Sequence, residues 1–188
     1  MAEFEFVLVL VSIIVGLAIA EIFRGVTRVL RGDLKNYFVH SLWVVQVFLH
    51  QVQTWWSYWL LHADETFAFP RMLHLLVAPS LLFIAATVLF PARSSDVNLR
   101  DYYYSRRKAF FGVLALVAVE SVLTNLFEQG FNPATFILRM AYLGALTVLA
   151  LTSQPRVHAV LTVACVAGLG VYIAVFTPDL VAVATEPR

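Results

Sequence analysis

Residues 37–61 read YFVHSLWVVQVFLHQVQTWWSYWLL, without a single Asp, Glu, Lys or Arg. An α-helix rises about 1.5 Å per residue, so about 20 such residues cross the hydrocarbon core of a bilayer. The stretch is too long for a strand and lacks strict alternation, which leaves a helix as its regular structure. Its polar residues are ordered. Gln46, His50, Gln53 and Ser57 recur at steps of four, three and four, which stacks them on one helical face with Trp43 at the start of the stripe. Such a face cannot turn to lipid, where unpaired amides cost several kcal/mol. It must meet other helices or a water-filled cavity.

Outward from this segment lie further apolar runs near residues 6–23, 72–90, 109–127, 134–151 and 157–176. Pro70, Pro91, Pro133, Pro155 and Pro178 sit at or near their ends, where a missing N–H does least harm. The chain is 61% hydrophobic and 13% charged, whereas a soluble domain is about half apolar and a quarter charged. These features predict an all-α integral membrane protein, a bundle of about six transmembrane helices forming a single domain over residues 1–188. The net charge of +1 leaves no basic excess to hold nucleic acid. Cys165 is the sole cysteine, which excludes an internal disulfide and a cysteine-rich metal site.

The basic residues orient this bundle. Arg24, Arg28, Arg31 and Lys35 follow the first run; Arg93, Arg100, Arg106, Arg107 and Lys108 lie between the third and fourth; Arg156 lies between the fifth and sixth. In a six-span arrangement these three loops share one side. The other side holds Glu3, Glu5, Asp64, Glu65, Glu128, Asp179 and Glu186 against only Arg71 and Arg188. Lys/Arg bias marks the cytoplasmic side, so both termini are expected to be non-cytoplasmic, in a multi-pass protein of a bacterial inner membrane. The first run lacks the positive n-region of a secretion signal and is expected to be retained. Residues 22–34 are expected to continue that helix into the interface, with Arg24, Arg28 and Arg31 on one face as an anchor at the lipid surface.

Ionisable groups inside a membrane are costly and read as functional when they face the bundle interior. On the fourth run Glu120, Thr124 and Glu128 align at steps of four, with Ser121 and Asn125 beside them. Counting helical rise puts Glu120 at about 12 Å from the outer boundary, Arg139 on the fifth run at about 9 Å, and His50 and Gln53 at about 12–17 Å. Glu120 and Arg139 could pair across the intervening turn and fix helix register, or serve binding and proton transfer. Pro79 lies at a similar depth and frees the carbonyl of Leu75, a kink of the kind transporters use. Ser12, Gly16 and Ala20 on the first run, and Ala164 with Gly168 on the sixth, read as close-packing faces within the bundle or between protomers. His158, Thr162, Cys165 and Tyr172 form an inward polar stripe on the sixth. Trp55, Trp56, Tyr58, Trp59 and Tyr102 to Tyr104 read as interfacial belts.

No Walker loop, dinucleotide fingerprint, nucleophile elbow or zinc spacing is present in the sequence, so nothing in it points to an enzyme. The leading expectation is a small transporter or channel-like protein, a homo-oligomer in lipid, whose ion or solute pathway is lined by Gln46, His50, Gln53, Ser57, Glu120, Thr124 and Arg139. A second is a non-catalytic membrane subunit or assembly factor that docks a partner protein. A third is a haem-binding redox protein using His62 with His74, or His40 with His158, as axial ligands. The first two need no cofactor and no metal.

Overall fold

Away from water, long apolar runs must satisfy their backbones within the segment, and helices do so. The computed structural model describes residues 3–59, 69–92, 97–127 and 132–176. Its helices are α1 (Glu3–Leu30), α2 (Phe38–Trp59), α3 (Phe69–Leu89), α4 (Leu99–Phe127), α5 (Pro133–Leu151) and α6 (Pro155–Phe176). The all-helical expectation holds. Among the described residues four helical segments are long and apolar enough to cross a membrane: Glu5–Leu30, Phe69–Leu89, Pro133–Leu151 and Pro155–Val175. His62, Asp64, Glu65, Arg93, Glu128 and residues 177–188 lie outside the described residues, as do the side chains of Trp59 and Asn125.

Local signals set the helix ends. α1 outruns its apolar stretch and stops at Gly32, which takes φ +83°. There Gly32 N–H donates to Val29 O and Asp33 N–H to Arg28 O, both at 3.0 Å, the hydrogen-bond pair of a Schellman cap. α4 begins at Leu99, well before its apolar run. Asn98 Oδ1 accepts from Arg100 N–H at 2.9 Å, and Asp101 in the first turn complements the helix dipole, so residues 99–108 are drawn into the helix. Asn132 caps α5 through Ala134 and Thr135 N–H, with Pro133 at the first helical position.

Five helices form a ring. α2 packs on α3, α3 on α4, α4 on α5, α5 on α6, and α6 returns to α2. α1 stands outside it, against α2 and α3. The packing seam of α1 is Val7, Val11, Val15, Ala18 and Ile22, all buried. Gly16 and Ala20 are exposed, so the expected small-residue face is not a contact within this chain; β-branched side chains fill the contact instead. Ser12, part-buried, accepts from Trp55 Nε1 at 2.9 Å.

The three basic connections gather at one end of the bundle. β1 (Leu34–Lys35) and β2 (Val97–Asn98) pair in parallel, joining the α1–α2 and α3–α4 loops. Two-residue strands leave no alternating pattern, and the sequence does not announce them. Arg28 donates to Pro91 O across the same junction. The α5–α6 turn sits beside the start of α4, where Tyr103 Oη and His158 Nδ1 are 2.7 Å apart.

At this end α1 and α3 approach so closely that only glycine fits at one position. A Cβ at Gly25 would lie 2.1–2.3 Å from ring atoms of Phe90, whose ring is itself held edge-on against His40. Gly25→Ala is therefore expected to destabilise the protein by about 1–3 kcal/mol. Thermal unfolding in detergent measures this, and adding Phe90→Leu should recover most of the loss.

Candidate functional site

Among the described residues the ring surrounds an open-mouthed cavity of about 400 Å³, lined by residues from α2, α3, α4, α5 and α6. Gln46, His50, Gln53, Ser57, Glu120, Thr124 and Arg139 all stand on its wall. It occupies the half of the bundle away from the basic loops. At its inner limit Trp43, fully buried, lies edge-on to Phe110 and Phe111 with centroids at 5.7 and 5.0 Å, and donates through Nε1 to Thr162 Oγ1 at 2.9 Å.

The deepest polar tier is formed by α2, α5 and α6. His50 Nδ1 is 3.0 Å from Gln46 O, an acceptor, so Nδ1 carries the proton and Nε2 is left as an acceptor. The imidazole stacks on Tyr142 at 5.7 Å and 21°. Gln46 Nε2 reaches Cys165 O at 3.5 Å. Gln46 Oε1 is buried without a hydrogen-bond partner among the described residues, and Tyr142 Oη stands beside the Gln46 side chain with no well-formed hydrogen bond. Buried polar atoms left open in this way mark a place that a ligand or water can complete.

A second tier lies nearer the mouth. Thr124 Oγ1 donates to Glu120 Oε1 at 3.0 Å and is 2.9 Å from His74 Nε2, which is 3.5 Å from Glu120 Oε1. The hydroxyl proton points to the carboxylate, so His74 donates to Thr124, giving a relay between α3 and α4. Opposite, Arg139 Nη1 donates to Ser121 O at 3.0 Å and Nη2 to Tyr172 Oη at 3.2 Å, with the guanidinium 6.0 Å from the Tyr172 ring centre. The carboxylate thus meets Thr124 and His74, and the guanidinium meets Ser121 and Tyr172. Gln53 Nε2 and Ser57 Oγ are bonded at 2.9 Å along α2.

Tyr142 is a member that sequence reasoning does not select, and it picks out His74 only as a haem-ligand candidate with His62, not as part of this site. The spacing of Arg71, His74 and Ala78 puts His74 on one face with a small residue, which is the signal available for it. Pro79 is buried inside α3, while Leu75, whose carbonyl it deprives of a helical donor, is on the cavity wall. Ala164 and Gly168 also stand on that wall. A Cβ at Gly168 would meet nothing within 4 Å, so these small residues border space rather than a packed helix.

The remaining described histidines are committed to structure. His40 Nε2 is 2.8 Å from Leu89 O. Both ring nitrogens of His158 are engaged, Nε2 with Thr152 O at 3.0 Å and Nδ1 with Tyr103. Burial pushes the Tyr103 phenol up, so it stays protonated and donates to Nδ1. An axial role for His158 with His40 would require one of these hydrogen bonds to be given up. The other proposed pair includes His62, outside the described residues.

No family model matches the chain, and neither curated proteins nor solved structures give a match.

One buried amide lies off the cavity. Gln51 is fully buried, and neither Oε1 nor Nε2 has a partner among the described residues. An orphaned amide of this kind costs about 1–3 kcal/mol. Gln51→Met, nearly isosteric, should raise stability by about 1–2 kcal/mol, read as a higher thermal midpoint; an unchanged or lower midpoint would show the amide to be satisfied.

Proposed function

We propose that this chain crosses a membrane six times, basic loops in the cytoplasm and both termini outside, and that it carries a small solute bound in the five-helix cavity. Support for six spans rather than four comes from the outer faces of α2 and α4. The exposed large side chains of α2 are Phe38, Val45 and Val52, and those of α4 beyond residue 108 are Leu116, Val119, Leu123 and Leu126. Among the polar residues that lower the hydropathy of these helices, Gln46, His50, Gln53 and Glu120 line the cavity, Gln51 is buried beside it, and the charged residues within 99–108 stand at the loop end. The parallel pairing of β1 with β2 favours the same arrangement, since it brings two basic loops to one side.

The observation that carries the transport reading is the shape and chemistry of the cavity. Its volume is that of a small-molecule site. It has apolar walls, a few convergent polar groups and a floor of edge-on aromatics on the basic-loop side. A pocket closed on one side suits a carrier that binds solute from the other better than a continuously open channel. Glu120, Thr124 and His74 supply a group that can change charge as solute binds. A second reading, a subunit that docks a membrane partner, draws on α1, which stands outside the ring with Gly16 and Ala20 exposed.

The carrier reading is tested by screening purified protein for compounds that raise its thermal midpoint, then following uptake of a labelled hit into proteoliposomes. His50→Ala and Glu120→Gln should each weaken binding of that compound about 10- to 100-fold, equivalent to about 1–3 kcal/mol. Undiminished affinity and uptake in both variants would sink the assignment, and a stoichiometric partner protein retained through purification would favour the subunit reading.

A further inference from the structure

The ring is not equally tight around its circumference. α5 and α6 are joined by only residues 152–154, yet they make the loosest contact of any neighbours in the ring. On the cavity wall these two helices present Ala141, Ala145, Ala164 and Gly168. Small residues ordinarily let two membrane helices close together. Here Ala141 and Ala164 remain exposed, and the space beside Gly168 is empty for 4 Å around an added Cβ. The small side chains therefore frame an opening. The connecting turn bounds it at one end, and the Arg139–Tyr172 bridge bounds it at the other. The exterior of the two helices around it is apolar, with Ile137, Met140, Val160 and Val163 exposed.

We propose that the cavity is entered sideways from the lipid through this α5–α6 window, and that its ligand is a membrane-partitioned amphiphile with a hydrogen-bonding head. The proposal rests on the reading of the cavity as a binding site, and adds its route and ligand class. A hydrated ion would have to shed water to pass alanine, glycine and exposed aliphatic groups. An amphiphile already in the bilayer passes without that penalty. Its head is received by Gln46 Oε1, Tyr142 Oη and the acceptor nitrogen of His50, none of them formally charged. Its apolar part lies back along the alanines towards the lipid.

Cys165, on the cavity wall, is a native reporter of access. Protein in phosphatidylcholine vesicles is treated either with N-pyrenylmaleimide, which partitions into bilayers, or with a trimethylammonium-bearing methanethiosulfonate supplied on both sides. Intact mass reads the labelling. The Cys165→Ser/Gly168→Cys variant repeats the measurement with a more open thiol. Lateral entry predicts that the partitioning reagent labels position 168, and Cys165 more slowly, while the charged reagent is at least tenfold slower at both. Ala141→Phe or Ala164→Phe, either of which suffices if the other does not fold, should slow the partitioning reagent at least tenfold. Equal or faster labelling by the charged reagent would overturn the lateral route and leave the binding site itself in place. Absence of labelling at position 168, or rates unaffected by the phenylalanines, would overturn the window.

Discussion

A helix with an imidazole between two amides on one face and aliphatic side chains on the other must bring its polar face inward, and in α2 this requirement organises the bundle. The exposed side of α2 is left entirely apolar. On its polar side His50 and Gln53 bond within α2 itself, to Gln46 O and Ser57 Oγ. Trp43 and Gln46 find their partners on α6, at Thr162 Oγ1 and Cys165 O, and this contact closes the ring. The alternative, an amide facing hydrocarbon without a partner, costs several kcal/mol. The cavity follows: helices held apart by Trp43 and its aromatic neighbours at one end cannot collapse on one another beyond it.

Much of this was legible from spacing. The four, three, four steps of α2 identified a face, and helical rise placed His50, Gln53 and Glu120 at one depth; those three residues share one cavity. What spacing could not give was which helix stands opposite. Glu120 could be matched to Arg139 by depth, but its carboxylate meets Thr124 of its own helix and His74 of α3. Gln51, one residue from the stripe, reads as polar in sequence and points elsewhere. The small residues misled for a similar reason. A short side chain permits close approach without enforcing it, so Gly16 and Ala20 face outward, Ala164 and Gly168 border a cavity, and the unremarked Gly25 is the glycine pressed against an aromatic ring.

The described histidines divide by their second nitrogen. In His158 both nitrogens are held, and the ring braces the α5–α6 turn against the start of α4. In His50 one nitrogen is tied to the preceding turn and the other is left on the cavity side. The same residue type is therefore fully bonded scaffold at the basic-loop end and stands on the cavity wall in the opposite half. Composition alone does not separate these roles; the position of the nearest backbone carbonyl does.

The hydrogen bond between Trp43 and Thr162 joins residues 119 apart in sequence. Synthesis at about 5–20 residues per second puts roughly 6–24 s between the emergence of those two partners. Throughout that interval the nascent second helix has its amides and indole N–H but not the sixth helix that satisfies them. Early pairing with α1 and α3 covers its other faces and leaves this one waiting. The ring therefore cannot close until α6 has been made, and the contact that closes it is among the latest to become available.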